Sequence, residues 1–176
     1  MMLIAAAALA VVPMTSGDAG EGKAKVDDFI QVWSVEKGEM MTSTRVQKTE
    51  AEWKAELDPE VFKIIRRQGT EMACSGAFWK NDREGVYRCA GCGLDLFVSD
   101  TKYTSGTGWP SFFQPVHDAN IGTTQDRSYG MVRTEVHCER CGAHLGHVFD
   151  DGPKPTGKRY CINSLSMEFV EMDLPD

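Results

Sequence analysis

The fold of this chain depends on two short stretches that share one cysteine pattern, RCAGCGLDLF at residues 88–97 and HCERCGAHLGH at residues 137–147. In each stretch, two cysteines are separated by two residues and followed at once by a glycine. Two thiolates from one tight turn can occupy adjacent corners of a tetrahedron, so two such turns supply four sulfur ligands. The sequence therefore predicts one structural Zn²⁺ per chain. Its predicted ligands are Cys89, Cys92, Cys138 and Cys141.

Other uses of the same spacing stay open. A rubredoxin-like iron site needs the same two turns, and two redox-active disulfides would need the same four cysteines. His137 and His144 flank the second pair and could act as ligands, although four cysteines make them unnecessary. A zinc ion with four protein ligands has no open position for a substrate. We therefore expect the metal to hold distant strands together and to take no part in catalysis.

Size and charge narrow the functional classes. The chain has 176 residues and a formal net charge of −7, and such a length suits one domain with a substantial core. Proteins that bind nucleic acid usually present a basic face, and this sequence has no basic patch. We expect a monomer that binds no nucleic acid.

The N-terminal residues differ in composition from the rest. Residues 2–12 are apolar without interruption and residues 13–25 are small and polar, which is typical of a signal peptide and its cleavage region. The run is too short for a membrane-spanning helix of about 20 residues, and no Lys or Arg precedes it. We interpret residues 1–20 as a signal-peptide-like segment and expect an exported, periplasmic protein. The alternative is a cytoplasmic protein with a mis-assigned start or a short buried helix.

Residues 21–46 are polar, and we expect a poorly ordered leader there, before a domain at residues 47–172. Thr49 and Glu52 form a capping box that starts a helix. A second helix is predicted from the pair Asp58-Pro59, because Asp is a preferred N-cap and Pro suits the first helical position. That helix should end at Gly69.

After residue 84 the sequence consists of short runs rich in β-branched and aromatic residues, separated by Gly, Asp and Pro. Such runs are typical of strands joined by turns. The predicted fold class is therefore α+β, mainly antiparallel β, with a short helical lead-in.

Two of the six cysteines remain, Cys74 and Cys161. Their number alone allows two buried thiols or one disulfide. In RYCINSLSMEF, residues 159–169, the two-residue period of a strand places Arg159, Cys161 and Asn163 on one face. A fixed positive charge favours the thiolate, and an amide offers both a donor and an acceptor. We predict that Cys161 is a reactive thiol and that these two neighbours assist it.

Three stretches follow one another around the second cysteine pair: YTSGTGWPSF at 103–112, CGAHLGHVFDDGP at 141–153 and RYCINSLSMEF at 159–169. Together with the two cysteine pairs, they closely resemble the type B methionine sulfoxide reductases, which are peptide-methionine (R)-S-oxide reductases. The resemblance runs from about Arg67 to Phe169. It implies a β-tent fold of two twisted antiparallel sheets, with zinc opposite the active site.

The resemblance also implies a thiol-dependent reduction of the R epimer of methionine sulfoxide in oxidised proteins. Cys161 matches the family's nucleophile, which attacks the sulfoxide and becomes a sulfenic acid. A second cysteine then forms a disulfide with it, and thioredoxin or a similar donor reduces that disulfide. The substrate needs an apolar wall, and we assign this role to Trp109 and Phe149.

The reaction needs an acid that titrates near neutrality, because the sulfoxide oxygen leaves as water. The candidates are His144 and His147 in the stretch HLGH. If that stretch is extended, their three-residue separation makes them point in different directions, and one could order a water. Asp150 and Asp151 could orient a histidine or Arg159, or they could lie in a solvated turn.

One position departs from the family pattern. Many members carry a second cysteine in the SGxGWPSF loop, where this chain has Thr107, and a threonine cannot form a disulfide. Another subgroup places this thiol upstream, where the present chain has Cys74 in the segment GTEMACSGAF. We predict that Cys74 resolves the sulfenic acid of Cys161. The alternative is that an external thiol reduces Cys161 directly.

Two functions of other classes compete with the reductase. A zinc-ribbon-like binding module would need the four metal-binding cysteines, but it has no reason to keep Arg159, Cys161 and the two histidines. A dithiol–disulfide exchanger would use the cysteine pairs themselves, which four metal-bound thiolates cannot do. Metal content and the consumption of one sulfoxide epimer separate the three hypotheses.

Overall fold

The computed structural model describes residues 28–174. The signal-peptide-like segment predicted for residues 1–20 lies outside this range, so export stays a prediction. Within the described range, none of the helices combines the length and the apolar character that crossing a membrane requires.

Strands make up most of the regular structure between residues 28 and 174. They are β1 (Phe29–Ser34), β2 (Glu39–Thr44), β3 (Gly85–Cys89), β4 (Asp95–Val98), β5 (Lys102–Tyr103), β6 (Ser111–Phe112), β7 (Ile121–Asp126), β8 (Arg133–Cys138), β9 (His144–Phe149), β10 (Arg159–Ile162) and β11 (Met167–Glu171). The two α-helices are α1 (Glu50–Glu56) and α2 (Pro59–Arg67).

These strands form three antiparallel sheets. The largest has the order β5-β6-β10-β9-β8-β7, the second has the order β11-β3-β4, and β1 pairs with β2 in a hairpin. The prediction of a mainly antiparallel β fold with two principal sheets and a helical lead-in is confirmed. The hairpin is a third, small sheet that the sequence did not predict.

Both helices begin where their caps predict. Thr49 and Glu52 form the capping box, with a hydrogen bond of 2.6 Å from the Thr49 backbone N–H to the Glu52 carboxylate. The Asp58 side chain accepts from the N–H of Glu60 at 2.8 Å. The second helix ends slightly before the predicted stop, because Gln68 adopts a left-handed conformation with φ 52°. A residue in this conformation ends a helix, so Gln68 takes the role predicted for the following glycine.

The core lies between the six-stranded and three-stranded sheets. Phe97 of β4 stacks on Phe112 of β6 with ring centroids 4.4 Å apart, and Tyr87 of β3 meets Phe112 edge-on at 5.0 Å. All three side chains are fully buried, and Ile65 of α2 packs into the same cluster. Burying each such side chain contributes roughly 1.5–3 kcal/mol. The strands that carry the cysteine pairs are therefore held on a rigid support.

The β1–β2 hairpin corrects the prediction of a poorly ordered leader at residues 21–46, which is wrong for residues 29–44. The sequence did not predict these strands because four of the six residues of β2 are polar, and within residues 29–44 only Val32 and Val35 are buried. The hairpin is fixed largely by polar groups from distant segments. Asn120 accepts from the backbone N–H of Trp33 at 2.7 Å and donates to its carbonyl at 2.9 Å. Asp95 accepts from the N–H of Val35 at 2.9 Å.

The end of the hairpin also contacts both cysteine turns. Arg45 donates to the carbonyl and the carboxylate of Glu139, at 2.7 Å in each case. Arg140 donates to the carbonyl of Thr44 at 3.3 Å and to that of Cys92 at 3.2 Å. The folded unit therefore includes residues that the sequence assigns to the leader.

Candidate active site and metal centre

Four cysteine sulfurs meet between the two larger sheets, and all four lie within 4.8 Å of one another. The Sγ atoms of Cys89 and Cys141 are 3.6 Å apart, and those of Cys92 and Cys138 are 3.5 Å apart. Zinc–sulfur bonds of about 2.3 Å in a tetrahedron would place the sulfurs roughly 3.8 Å apart. The four predicted ligands are thus brought together at the dimensions of a metal site.

The chemistry of the cluster also suits a cation. Contact of the Cys89 sulfur with that of Cys138 and with its other sulfur neighbours, together with burial, raises the pKa of the Cys89 thiol well above its usual range. Four thiolates at this spacing, three of them buried, would repel one another strongly, whereas a bound cation deprotonates and neutralises them. This cluster can hold a metal ion.

Glycine makes the two turns possible. Gly93 and Gly142 have φ angles of 73° and 67°, in the left-handed region that favours glycine. Their N–H groups donate to the carbonyls of Cys89 and Cys138, at 2.8 Å in both turns. One turn joins β3 to β4 and the other joins β8 to β9, so the cluster links the three-stranded sheet to the six-stranded one.

Cys161 lies on β10, in the middle of the six-stranded sheet. Its neighbours across the sheet are Ser111 on β6 and His147 on β9. Strand β10 approaches β9 closely at Gly146, where a Cβ atom would stand 2.0 Å from the Cys161 carbonyl oxygen. Cys161 borders a cavity of about 140 Å³. The cavity is lined by Thr70, Trp109, Arg133, Gly146, His147, Phe149, Cys161 and Asn163.

The Cys161 thiol is not activated in the way that the sequence predicts. Burial raises its pKa, and this effect exceeds the opposing influence of the Thr107 hydroxyl, 4.0 Å from the sulfur, and of Arg159. Arg159 favours the thiolate as predicted, but its guanidinium also interacts with Asp151 and Phe149. Its Nε and Nη2 donate to the two carboxylate oxygens of Asp151 at 2.8 and 2.9 Å. The guanidinium also lies over the ring of Phe149, 4.4 Å from its centroid.

Each predicted histidine is held by a carboxylate. His144 is buried, and its Nδ1 lies 2.6 Å from a carboxylate oxygen of Glu135. The Nε2 of His147 lies 2.8 Å from Oδ2 of Asp126. Burial lowers the pKa of His147, although the contact with Asp126 opposes this effect. Only His147 borders the Cys161 cavity, while both histidines border an adjacent groove.

The prediction that the two histidines point in different directions is wrong. Their ring centroids are only 5.6 Å apart. The pairing of β8 with β9 shifts register, because Val136 faces Gly146 while His137 faces His144, which leaves Leu145 as an extra residue. Such a bulge changes the alternation of side chains along a strand by one position. Both imidazoles therefore project to the same side.

Asn163 and Trp109 are both tied to Glu71. The Asn163 side chain accepts from the N–H of Glu71 at 3.1 Å and donates to the carbonyl of Leu145 at 3.0 Å. The indole N–H of Trp109 donates to the Glu71 carbonyl at 3.1 Å. The Asn163 side chain thus binds backbone groups with both its donor and its acceptor. It fixes the backbone at Glu71, to which Trp109 is also hydrogen-bonded.

Cys74 lies against the loop that approaches Cys161. It is exposed and has a left-handed φ of 64°, and its N–H donates to the carbonyl of Gly108 at 2.8 Å. A Cβ atom on Gly108 would stand 2.8 Å from the Cys74 sulfur. Since the neighbouring Thr107 hydroxyl is 4.0 Å from the Cys161 sulfur, the predicted resolving thiol lies beside the active-site loop. Both Cys74 and Cys161 are free thiols.

Sequence reasoning missed the polar residues that surround the predicted set: Glu71, Asp126, Arg133 and Glu135. Asp126 and Arg133 lie at the ends of adjacent strands and face each other, a relation that no local pattern reveals. One usable signal was the two-residue spacing of Arg133 and Glu135, which places them on one face of a strand.

Comparison with known proteins agrees with the geometry. A model of the SelR domain matches residues 57–171. The chain is similar to the peptide methionine sulfoxide reductase MsrB of Leptospira interrogans, with 59% identity over 124 residues, or 70% of this chain and 95% of that protein. For the MsrB of Methylibium petroleiphilum the identity is 58% over 125 residues, which cover 71% of this chain and 91% of that protein. For the MsrB of Thiobacillus denitrificans the identity is 53% over 131 residues, which cover 74% of this chain and 99% of that protein. The chain belongs to the SelR-domain family, together with these MsrB proteins.

Proposed function

We propose that this protein reduces the R epimer of methionine sulfoxide in oxidised proteins, with Cys161 as the nucleophile. The observation that carries the proposal is the setting of one thiol, which borders a cavity together with His147, Trp109 and Phe149. Membership of the SelR-domain family supports it, as does the name peptide methionine sulfoxide reductase that the similar proteins bear.

The first step transfers the sulfoxide oxygen to the enzyme. The Cys161 sulfur attacks the sulfur of the substrate, the substrate's sulfur–oxygen bond breaks, and the products are methionine and a sulfenic acid. Cys161 loses two electrons and the substrate gains two. The thiol gives up one proton and the transferred oxygen gains one. The imidazole of His147, held by Asp126 at 2.8 Å, supplies the proton to the oxygen.

Selection of one epimer follows from the fixed wall of the cavity. Trp109 is held by its hydrogen bond to Glu71, so one flat apolar face is available to the methyl group of the substrate. With the methyl group against Trp109 and the sulfur at Cys161, only one configuration directs the oxygen toward His147.

Recycling then uses Cys74. Its thiol attacks the sulfur of the Cys161 sulfenic acid, a disulfide forms, and the oxygen leaves as water. The contact of Cys74 with Gly108, next to Thr107, supports this role. A dithiol donor such as thioredoxin reduces the disulfide by thiol–disulfide exchange.

The metal of the four-cysteine cluster is zinc in this proposal, with one ion per chain. The sulfur spacing and the all-cysteine donor set support zinc in a closed structural site. When bound, the ion cross-links the two larger sheets. Cys89, Cys92, Cys138 and Cys141 would hold it, and no step of the reaction involves them.

A single-turnover experiment tests the reaction. Full-length reduced protein, mixed with an equimolar peptide that carries either R or S methionine sulfoxide, should convert only the R epimer. It should leave a Cys74–Cys161 disulfide that mass spectrometry detects, with the other four cysteines reduced. Conversion of neither epimer, or of both at equal rates, would overturn the proposal.

We also propose that the protein is exported, on the strength of the apolar run at residues 2–12 and the small polar residues after it. Mass spectrometry of the mature N-terminus in separated cell fractions tests this. A full-length chain in the cytoplasmic fraction would contradict export.

A further inference from the structure

Two residues outside the predicted site meet at His147. Asp126, the last residue of β7, is the cross-strand partner of Arg133, the first residue of β8. Oδ2 of Asp126 lies 2.8 Å from Nε2 of His147 and 2.7 Å from Nη2 of Arg133. The other carboxylate oxygen accepts from the N–H of Ser128 at 2.8 Å. One oxygen of Asp126 thus joins a cation to the histidine that borders the Cys161 cavity.

We propose that Asp126 and Arg133 are positioning residues that fix the orientation and the proton position of His147. The inference rests on the function proposed above and adds two residues to its machinery. An ionised carboxylate can only accept hydrogen bonds, so the contact with Asp126 requires that Nε2 of His147 carries a proton. Nδ1 makes no hydrogen bond to the side chains that the structure describes and is therefore the atom that gains and loses a proton.

The charged groups around His147 come from α2, whose Lys63 and Arg67 border the same groove, and from four strands. Asp126 lies on β7, Arg133 and Glu135 on β8, His144 on β9 and Cys161 on β10. Burial has the largest influence and lowers the pKa of His147. Asp126 raises it, while the electrostatic influence of Arg133 and of the neighbouring His144 lowers it. Arg133 therefore has two effects, because it anchors the carboxylate and also opposes the charge of the imidazolium.

The setting of Arg133 argues against a purely structural ion pair. Its Nε is buried and has no hydrogen-bond partner within the described chain. A buried N–H without an acceptor destabilises the fold, and native proteins keep few such groups. Arg133 also borders both the Cys161 cavity and the adjacent groove. An arginine held at this place despite an unsatisfied donor is expected where function requires it.

The test measures the imidazole directly in the full-length, metal-loaded protein. The chain has four histidines, so a ¹⁵N-histidine spectrum can be assigned and followed against pH. In the parent, neutral His147 should be protonated at Nε2. Asp126→Asn should lose this fixed tautomer and lower the pKa of His147. Arg133→Met should raise it, because a repelling charge is removed.

Two further variants separate positioning from simple destabilisation. Arg133→Lys keeps the charge and a donor for Asp126, so it should restore the parental titration. Arg127→Met removes a positive charge from the residue next to Asp126, where the Arg127 side chain is exposed and, among the described side chains, binds Gln125 alone. This control should leave the His147 titration unchanged. Parental tautomer and titration in both Asp126→Asn and Arg133→Met would overturn the proposal.

Single-turnover rates connect the titration to the reaction. General acids contribute about 10²–10⁴-fold. Loss of the carboxylate that orients a metal-ligating histidine costs about 10–100-fold, and we take the same scale for the contact of Asp126 with His147. We therefore expect Asp126→Asn to slow sulfoxide reduction about 10–100-fold. The rate should fall as pH rises through the pKa of His147, and this fall should move to higher pH in Arg133→Met. If the titrations change as expected while the rate profiles do not, positioning stands and the acid role of His147 in the proposed function is wrong.

Discussion

The two cysteine sites of this protein use the same side chain in opposite ways. At the metal end, four sulfurs lie within 4.8 Å of one another, and two glycine turns fix their positions. At the other site, Cys161 has no second sulfur bound to it and borders an open cavity. In both places the pKa of a thiol is raised, at Cys89 chiefly by contact with the sulfur of Cys138 and at Cys161 chiefly by burial. The two sites differ in what opposes this rise in pKa. A bound cation can neutralise the cluster, whereas at Cys161 the opposing groups are the Thr107 hydroxyl and the charge of Arg159.

The two kinds of cysteine both lie on or beside strands, so their different electrostatic surroundings, rather than the strands, distinguish them. Each of the four substitutions below should damage one site and leave the other intact.

The largest effect is expected at the metal end. Cys89→Ala should release the metal, and structural zinc supplies roughly 10 kcal/mol to folding, comparable with the whole stability of about 5–15 kcal/mol of a typical domain. Metal analysis and thermal melting measure this loss. Cys74→Ala, which removes a cysteine outside the cluster, should keep both the metal and the parental melting temperature. A metal-free Cys89→Ala protein that melts like the parent would show that the cluster does not stabilise the fold.

The converse experiment damages only the reactive site. Cys161→Ser should abolish sulfoxide reduction, by more than roughly 10⁴-fold, because a serine hydroxyl cannot become a sulfenic acid. Metal content and melting temperature should stay at parental values. Substantial turnover by this variant would remove Cys161 from the role of nucleophile.

Cys74→Ser should divide the reaction into two parts. About one methionine per enzyme should still form, because the first attack needs only Cys161, but thioredoxin should fail to sustain turnover without a disulfide to attack. Dithiothreitol, a small thiol able to enter the cavity, should restore multiple turnovers. Parental rates with thioredoxin would mean that the donor reduces Cys161 directly.

The smallest effect concerns the charge beside Cys161. Arg159 lowers the pKa of that thiol, so Arg159→Met should raise it further and slow alkylation of Cys161 at neutral pH by roughly threefold to tenfold. The pH curve of iodoacetamide alkylation measures the shift. Lys158→Met removes the adjacent cation, whose partner is Asp150, and should leave the curve in place. An unchanged curve for Arg159→Met would show that Asp151 already cancels the charge of the arginine.

Local signals predicted much of this molecule. The cysteine turns depend on residues within five positions of one another, and the helix caps on residues two or three positions apart, so both could be predicted from short segments. Cys161 was predicted from its neighbours on one strand face, and Trp109 and Phe149 from the apolar wall that the substrate needs. The structure places all three at one cavity.

The remaining features depend on pairing between distant strands. The bulge at Leu145, which brings His144 and His147 to one side, exists only in the register of β9 against β8. Asp126 meets His147 across the sheet, 21 positions away in sequence. The β1–β2 hairpin is fixed by Asn120 and Asp95, which are polar residues in distant parts of the chain. No periodicity within a short segment carries such information.

The hairpin also determines where the chain upstream of it is attached. The carbonyl of Asp28 accepts from the N–H of Arg45 at 2.7 Å, and Arg45 in turn binds Glu139 in the second cysteine turn. From that turn, β9 runs toward the cavity, which His147 borders. A tether, tag or surface joined before residue 28 therefore connects at the metal end rather than at the rim of the cavity. An immobilised form of this protein would therefore be anchored through the hairpin and the second cysteine turn, and not through the loop that approaches Cys161.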